Sequence, residues 1–125
     1  MARILLVEDD DAVREILRKT LVAAGHEVEE APNGVVALAA YRRRPSDLVI
    51  TDLVMPEKDG LEAIMDLRRL DPAVRIIAMS GGGRTLGPGD FYLESARLFG
   101  AMRILSKPFT GSALLQAVSE VLLSV

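Results

Sequence analysis

The run "DLVIT" (Asp47–Thr51) decides the fold, together with "VRIIAM" (Val74–Met79) further along the chain. Both are nearly unbroken apolar stretches. They lack the alternation of a strand with one wet face, and this is the pattern of central parallel strands covered on both sides. Between them Leu61, Ile64, Met65 and Leu67 recur at helical spacing and stop at Asp71–Pro72. Working outward, Arg3–Val7 reads as a first strand, followed by a helix through Val13, Ile16, Leu17 and Leu21 with Gly25 at its C-terminal cap. "HEVEEA" (His26–Ala31) is the most polar strand, with Val28 as its inward residue, which suits a sheet edge. Asn33–Tyr41 reads as a second helix, stopped after Arg42–Arg44 by Pro45. "GGGRTLGPGD" (Gly81–Asp90) is a loop, Phe91–Phe99 a fourth helical segment, and Met102–Leu105 a fifth strand. Thr110 caps a last helix carrying Leu114, Leu115, Val118, Val121 and Leu122. Five βα units with right-handed crossovers close most naturally as a doubly wound α/β sheet.

The chain has 125 residues and reads as a single domain over 1–125 with no effector domain attached. Half of its residues are hydrophobic and 26% are charged, which is globular and not disordered. A net charge of −3 gives no electrostatic footprint for nucleic acid, and no apolar run is long enough for a membrane span or a signal-peptide core. The absence of cysteine excludes disulfides and thiolate metal sites. These features together predict a cytoplasmic protein.

Open α/β sheets place their chemistry beyond the carboxyl ends of the strands. Here those ends carry Glu8-Asp9-Asp10, then Thr51-Asp52, then Ser80-Gly81, and finally Ser106-Lys107-Pro108. Three or four carboxylates, a hydroxyl and a lysine thus converge on one rim. If the first and third strands are neighbours, about 4.8 Å apart, Asp9 and Asp52 come within reach of one ion. A hard cation with oxygen ligands, Mg²⁺ above all, offsets that clustered charge. Asp11, next in the run, reads as an N-terminal cap or first-turn acid.

"ILLVEDD", "TDLVMPEKDG", "AMSG" and "LSKPF" resemble, in order, the four signatures of response regulator receiver domains, and the likeness spans essentially the whole chain. The resemblance implies a flavodoxin-like five-stranded parallel sheet of order 2-1-3-4-5. It also implies two-component signalling: Asp52 accepts a phosphoryl group from the phosphohistidine of a sensor histidine kinase or phosphotransfer protein. Mg²⁺ is then held by Asp9, Asp52 and the backbone carbonyl of Val54, with Glu8 joining directly or through a water. Ser80 stands at the switch hydroxyl position and Lys107 at the family's lysine, whose bond to Pro108 is usually cis. Output passes to a downstream protein target, with homodimerisation on phosphorylation left open, and involves neither nucleic acid nor membrane directly. Such a domain catalyses its own phosphorylation and slow dephosphorylation and is not a turnover enzyme on an external substrate.

Two features depart from the family pattern. Ile104 occupies the position three before the lysine where many members carry an aromatic switch residue, so a tyrosine-type switch is excluded. The Gly81–Asp90 loop is longer than the family leads one to expect, and it is expected to order on phosphorylation as part of the output surface. Competing readings fit less well. A nucleotide-binding α/β protein would place Gly, Ser or Thr after the first strand, where this chain has three acids. A dehalogenase-type phosphatase needs an acid two residues after its nucleophile, where Val54 stands. An unphosphorylated docking module has no need of Asp52 and Lys107 together. Arg42–Arg44 suit a helix C-terminus better than a nucleic-acid patch, and no role falls to His26.

Overall fold

In the computed structural model, described over residues 2–53, 60–80 and 100–123, the strands are β1 (Arg3–Val7), β2 (Glu27–Ala31), β3 (Leu48–Asp52), β4 (Ile76–Ser80) and β5 (Arg103–Ser106). The helices are α1 (Asp11–Ala23), α2 (Gly34–Arg43), α3 (Gly60–Leu70) and α4 (Gly111–Leu123). The helix expected over Phe91–Phe99 and the Gly81–Asp90 loop lie outside the described residues. All strand pairs are parallel, in the order β2-β1-β3-β4-β5. The polar strand therefore sits at an edge, and β1 and β3 are neighbours, as the acidic rim requires.

Strand alternation builds two cores from one sheet. Leu5, Val7, Val49, Ile76 and Ala78 point to one face, where Ala37, Ala40 and Tyr41 of α2 and Leu61, Ile64 and Leu67 of α3 cover them. Ile4, Leu6, Leu48, Ile50, Ile77 and Met79 point to the other, under Leu17 and Leu21 of α1 and Leu114, Val118 and Val121 of α4. Every residue of β3 and β4 is buried, which is why neither strand alternates in sequence. Ile104 packs against the α2/α3 core and pairs in register with Ala78.

Local boundaries follow side-chain chemistry. Asp10, not Asp11, caps α1: its Oδ1 accepts from Ala12 N at 2.9 Å and Val13 N at 3.1 Å, and Asp11 takes the first-turn position. Asn33 lies outside α2 as its cap, accepting from Val36 N at 2.9 Å. Thr110 caps α4 as its sequence position suggests, through Ala113 N at 3.0 Å. Gly25 has φ +95° just after α1, a left-handed conformation that glycine alone adopts without cost. β3, β4 and β5 each run one residue further than their apolar runs, because Asp52, Ser80 and Ser106 still pair in the ladder.

The edge strand adds ion pairs to its ladder with β1. Arg3 of β1 pairs with Glu27 and Glu29, which also receive Arg44 at 3.5 Å and Arg43 at 2.7 Å. The arginine run is thereby engaged with β2. His26 also has a structural place: its Nδ1 accepts from Ala2 N at 3.1 Å, anchoring the start of the chain. Partial burial holds its pKa below the usual value.

Candidate functional site

Each site residue is delivered by the end of a buried strand. Glu8 follows β1, and its N–H continues the pairing to Ala31 O at 3.1 Å. Asp52 is the last residue of β3, in register with Met79. Glu8 and Asp52 stand two residues beyond Leu6 and Ile50, on the strand parity of the α1/α4 face. Ser80 ends β4, buried, and its carbonyl accepts from Lys107 N at 2.9 Å, so that Lys107 directly extends the β4–β5 ladder. The Lys107–Pro108 peptide bond is cis.

The four acids that follow β1 thus serve three different ends. Glu8 and Asp9 stay with Asp52: one carboxylate oxygen from each of the three lies within 4.8 Å of the others. Asp10 turns away to cap α1. The fourth acid, Asp11, pairs with Arg14 at 2.7 Å. Glu8 and Asp52 are almost fully buried, at 1% and 3% exposure, and Asp9 is half-buried.

Lys107 is the resident counter-ion of this corner. Its Nζ donates to Glu8 Oε1 at 2.6 Å and to Asp52 Oδ2 at 3.2 Å. Glu8 Oε2 also accepts from Asp10 N at 3.2 Å. Burial pushes the Glu8 carboxyl up to about 7; the bond from Lys107 opposes this, and the nearby charge of Asp52 adds to it. Burial works against the Lys107 ammonium, but its bond to Glu8 and the charges of Asp52 and Glu8 outweigh it and hold the lysine above its ordinary value. Among the described residues, one ammonium thus faces three carboxylates. That surplus of negative charge, built wholly from hard oxygen donors, fits a divalent cation such as Mg²⁺, which accepts one or two carboxylates and keeps the rest of its shell as water. Val54 lies outside the described residues.

The comparisons with known proteins agree with this geometry. The family model for the response regulator receiver domain matches residues 4–119. The chain belongs to the response regulator receiver family. The receiver is 33% identical to the chemotaxis protein CheY of Halobacterium salinarum over 120 residues, covering 96% of each chain. It is 34% identical to the response regulator receiver protein CpdR of Brucella abortus over 125 residues, covering 99% of each. Among solved structures, the Vibrio cholerae chemotaxis protein CheY4 superposes with a TM-score of 0.85 at 30% identity, over 97% of this receiver and 98% of that chain. The receiver is therefore a CheY-like member of two-component signalling, a family that uses Mg²⁺ generally. Among the described residues, no helix is long and apolar enough to cross a membrane.

Arg14 was not singled out by sequence reasoning. Its guanidinium Nη1 donates to the Glu8 carbonyl at 2.9 Å, directly behind the acidic corner. An arginine five residues after a candidate ligand gives no periodic signal, since it reaches back over a turn whose course only the fold defines.

Proposed function

We propose that this receiver accepts a phosphoryl group on Asp52 from the phosphohistidine of a sensor histidine kinase or phosphotransfer protein, and that the modification switches its binding to a downstream protein. The observation that carries this reading is the Lys107 ammonium shared between Glu8 and Asp52 at the ends of neighbouring strands. An Asp52 carboxylate oxygen attacks phosphorus in line as the N–P bond of the donor breaks, and the departing imidazole keeps the electron pair and takes a proton from solvent. Lys107, already touching Asp52, follows the charge onto a phosphoryl oxygen. Ser80, one residue beyond the register partner of Asp52, is the hydroxyl that turns toward the phosphoryl group. Asp9, Asp52, the Val54 carbonyl and Glu8, directly or through a water, would hold Mg²⁺, which when bound would neutralise charge on the transferring group. Because Ser80 and Lys107 are joined through their backbones, a shift of one is transmitted to β5 and Ile104.

On this reading the receiver signals by protein contact, in the cytoplasm, and turns over no external substrate, in line with its likeness to the CheY and CpdR receivers. Incubation with a small phosphodonor and Mg²⁺, followed by intact mass, should give one phosphoryl adduct that chelator abolishes and Asp52→Asn lacks. A normal adduct in Asp52→Asn would move the acceptor elsewhere.

A further inference from the structure

A positive side chain in the first turn of a helix opposes the helix dipole, and beside a cation site it opposes the cation as well. Arg14 does both: it is the fourth residue of α1, and it lies against the turn that carries Glu8 and Asp9. Its ion pairs do not account for it. Asp11 is 90% exposed and Glu30 37% exposed, and such pairs contribute little to stability. They do fix the plane of the guanidinium, with Nη2 on Asp11 at 2.7 Å and Nε on Glu30 at 3.2 Å. The remaining arm, Nη1, is thereby aimed at the Glu8 carbonyl at 2.9 Å. The Glu8 main chain is then held at both ends, its N–H by Ala31 and its C=O by Arg14. That second bond sets the plane of the Glu8–Asp9 peptide and with it the direction in which Asp9 leaves the turn.

We propose that Arg14 is a positioning residue for the Glu8–Asp9 pair, orienting the acidic turn for the cation through the Glu8 carbonyl, a role that rests on the receiver-site reading above. Lysine cannot replace it, because one ammonium cannot reach the carbonyl and both acids in a fixed fork.

The test compares wild type, Arg14→Ala and Arg14→Lys by Mg²⁺ titration followed through amide chemical shifts, with amide hydrogen exchange of the metal-free proteins. Positioning predicts that both variants bind Mg²⁺ roughly tenfold more weakly, the low end for a residue behind a metal ligand. Exchange should quicken at Asp9–Asp11 and stay unchanged in β3 and β4. A through-space charge effect has the opposite sign, so tighter binding in Arg14→Ala, or wild-type affinity in Arg14→Lys, overturns the proposal. Loss of protection in β3 and β4 in step with the turn reduces Arg14 to a general stabiliser and overturns it equally. A wild-type chain indifferent to Mg²⁺ sinks the receiver-site reading and this one together, whereas normal binding in all three proteins sinks this one alone.

Discussion

Replacing Asp52 by Asn should make the metal-free protein more stable, although it removes a partner of Lys107. In the native chain Asp52 faces the carboxylates of Glu8 and Asp9 at no more than 4.8 Å. Each such pair repels by about 3.5 kcal/mol at an effective dielectric of 20. Among the described residues, the attraction that Asn forfeits is that to Lys107 at 3.2 Å, about 5 kcal/mol on the same scale. Solvent weakens the Asp9 contribution because that residue is only half-buried, so the balance is at most about 2 kcal/mol in favour of the variant, or a Tm higher by up to about 5 °C. Urea and thermal unfolding in chelator at pH 8, above the value of about 7 to which Glu8 is pushed, would expose the full repulsion. Mg²⁺ should then narrow the gap: at ten times its Kd it stabilises wild type by about 1.4 kcal/mol and the variant, one ligand poorer, by less. An Asp52→Asn protein less stable than wild type in chelator would refute the view that this corner is electrostatically loaded, as would a gap that Mg²⁺ widens.

Lys107→Met should do the reverse, destabilising the metal-free protein by about 3 kcal/mol because two buried carboxylates lose their counter-ion, with partial recovery in Mg²⁺ that denaturation curves would register. Tyr41→Phe removes the 2.6 Å bond from the Tyr41 hydroxyl to Asp71 and should cost about 1 kcal/mol at neutral pH. That bond holds the Asp71 carboxyl below its usual 3.8, so its contribution is present above that value and fades as pH falls through the lower folded one. The wild-type and Tyr41→Phe unfolding curves should therefore converge in acid. Asp10→Ala should lose about 1 kcal/mol by removing the α1 cap, whereas Asp11→Ala should change thermal stability far less.

The central sheet is legible in the sequence because β1, β3 and β4 are buried on both faces and so appear as unbroken apolar runs. The positions of Asp52, Ser80 and Lys107 follow from those runs, since a polar residue that interrupts one at its carboxyl end has nowhere to go but the rim. What sequence leaves open is the division of labour among neighbouring like charges. Nothing in "EDDD" separates Asp10, which caps a helix, from Asp9, which stays at the corner. The local helix start decides it. The roles of Arg3 and His26 were also hidden, for a different reason. Their partners lie far along the chain and become neighbours only through the parallel register that sets Arg3 beside Glu27.

The outermost strand carries a further consequence. β2 fully buries only Ala31 and pairs with β1 alone, so its arginine–glutamate lattice supplements an apolar contact thinner than that of β1, β3 and β4. Concentrated salt, which shortens the reach of charge to about 3 Å at 1 M, should loosen this margin before the interior. Because Ala31 holds the Glu8 amide and Glu30 steadies Arg14, ionic strength acting on a distant rim would be felt at the acidic turn. A lightly buried border of the sheet and its reactive end are wired together.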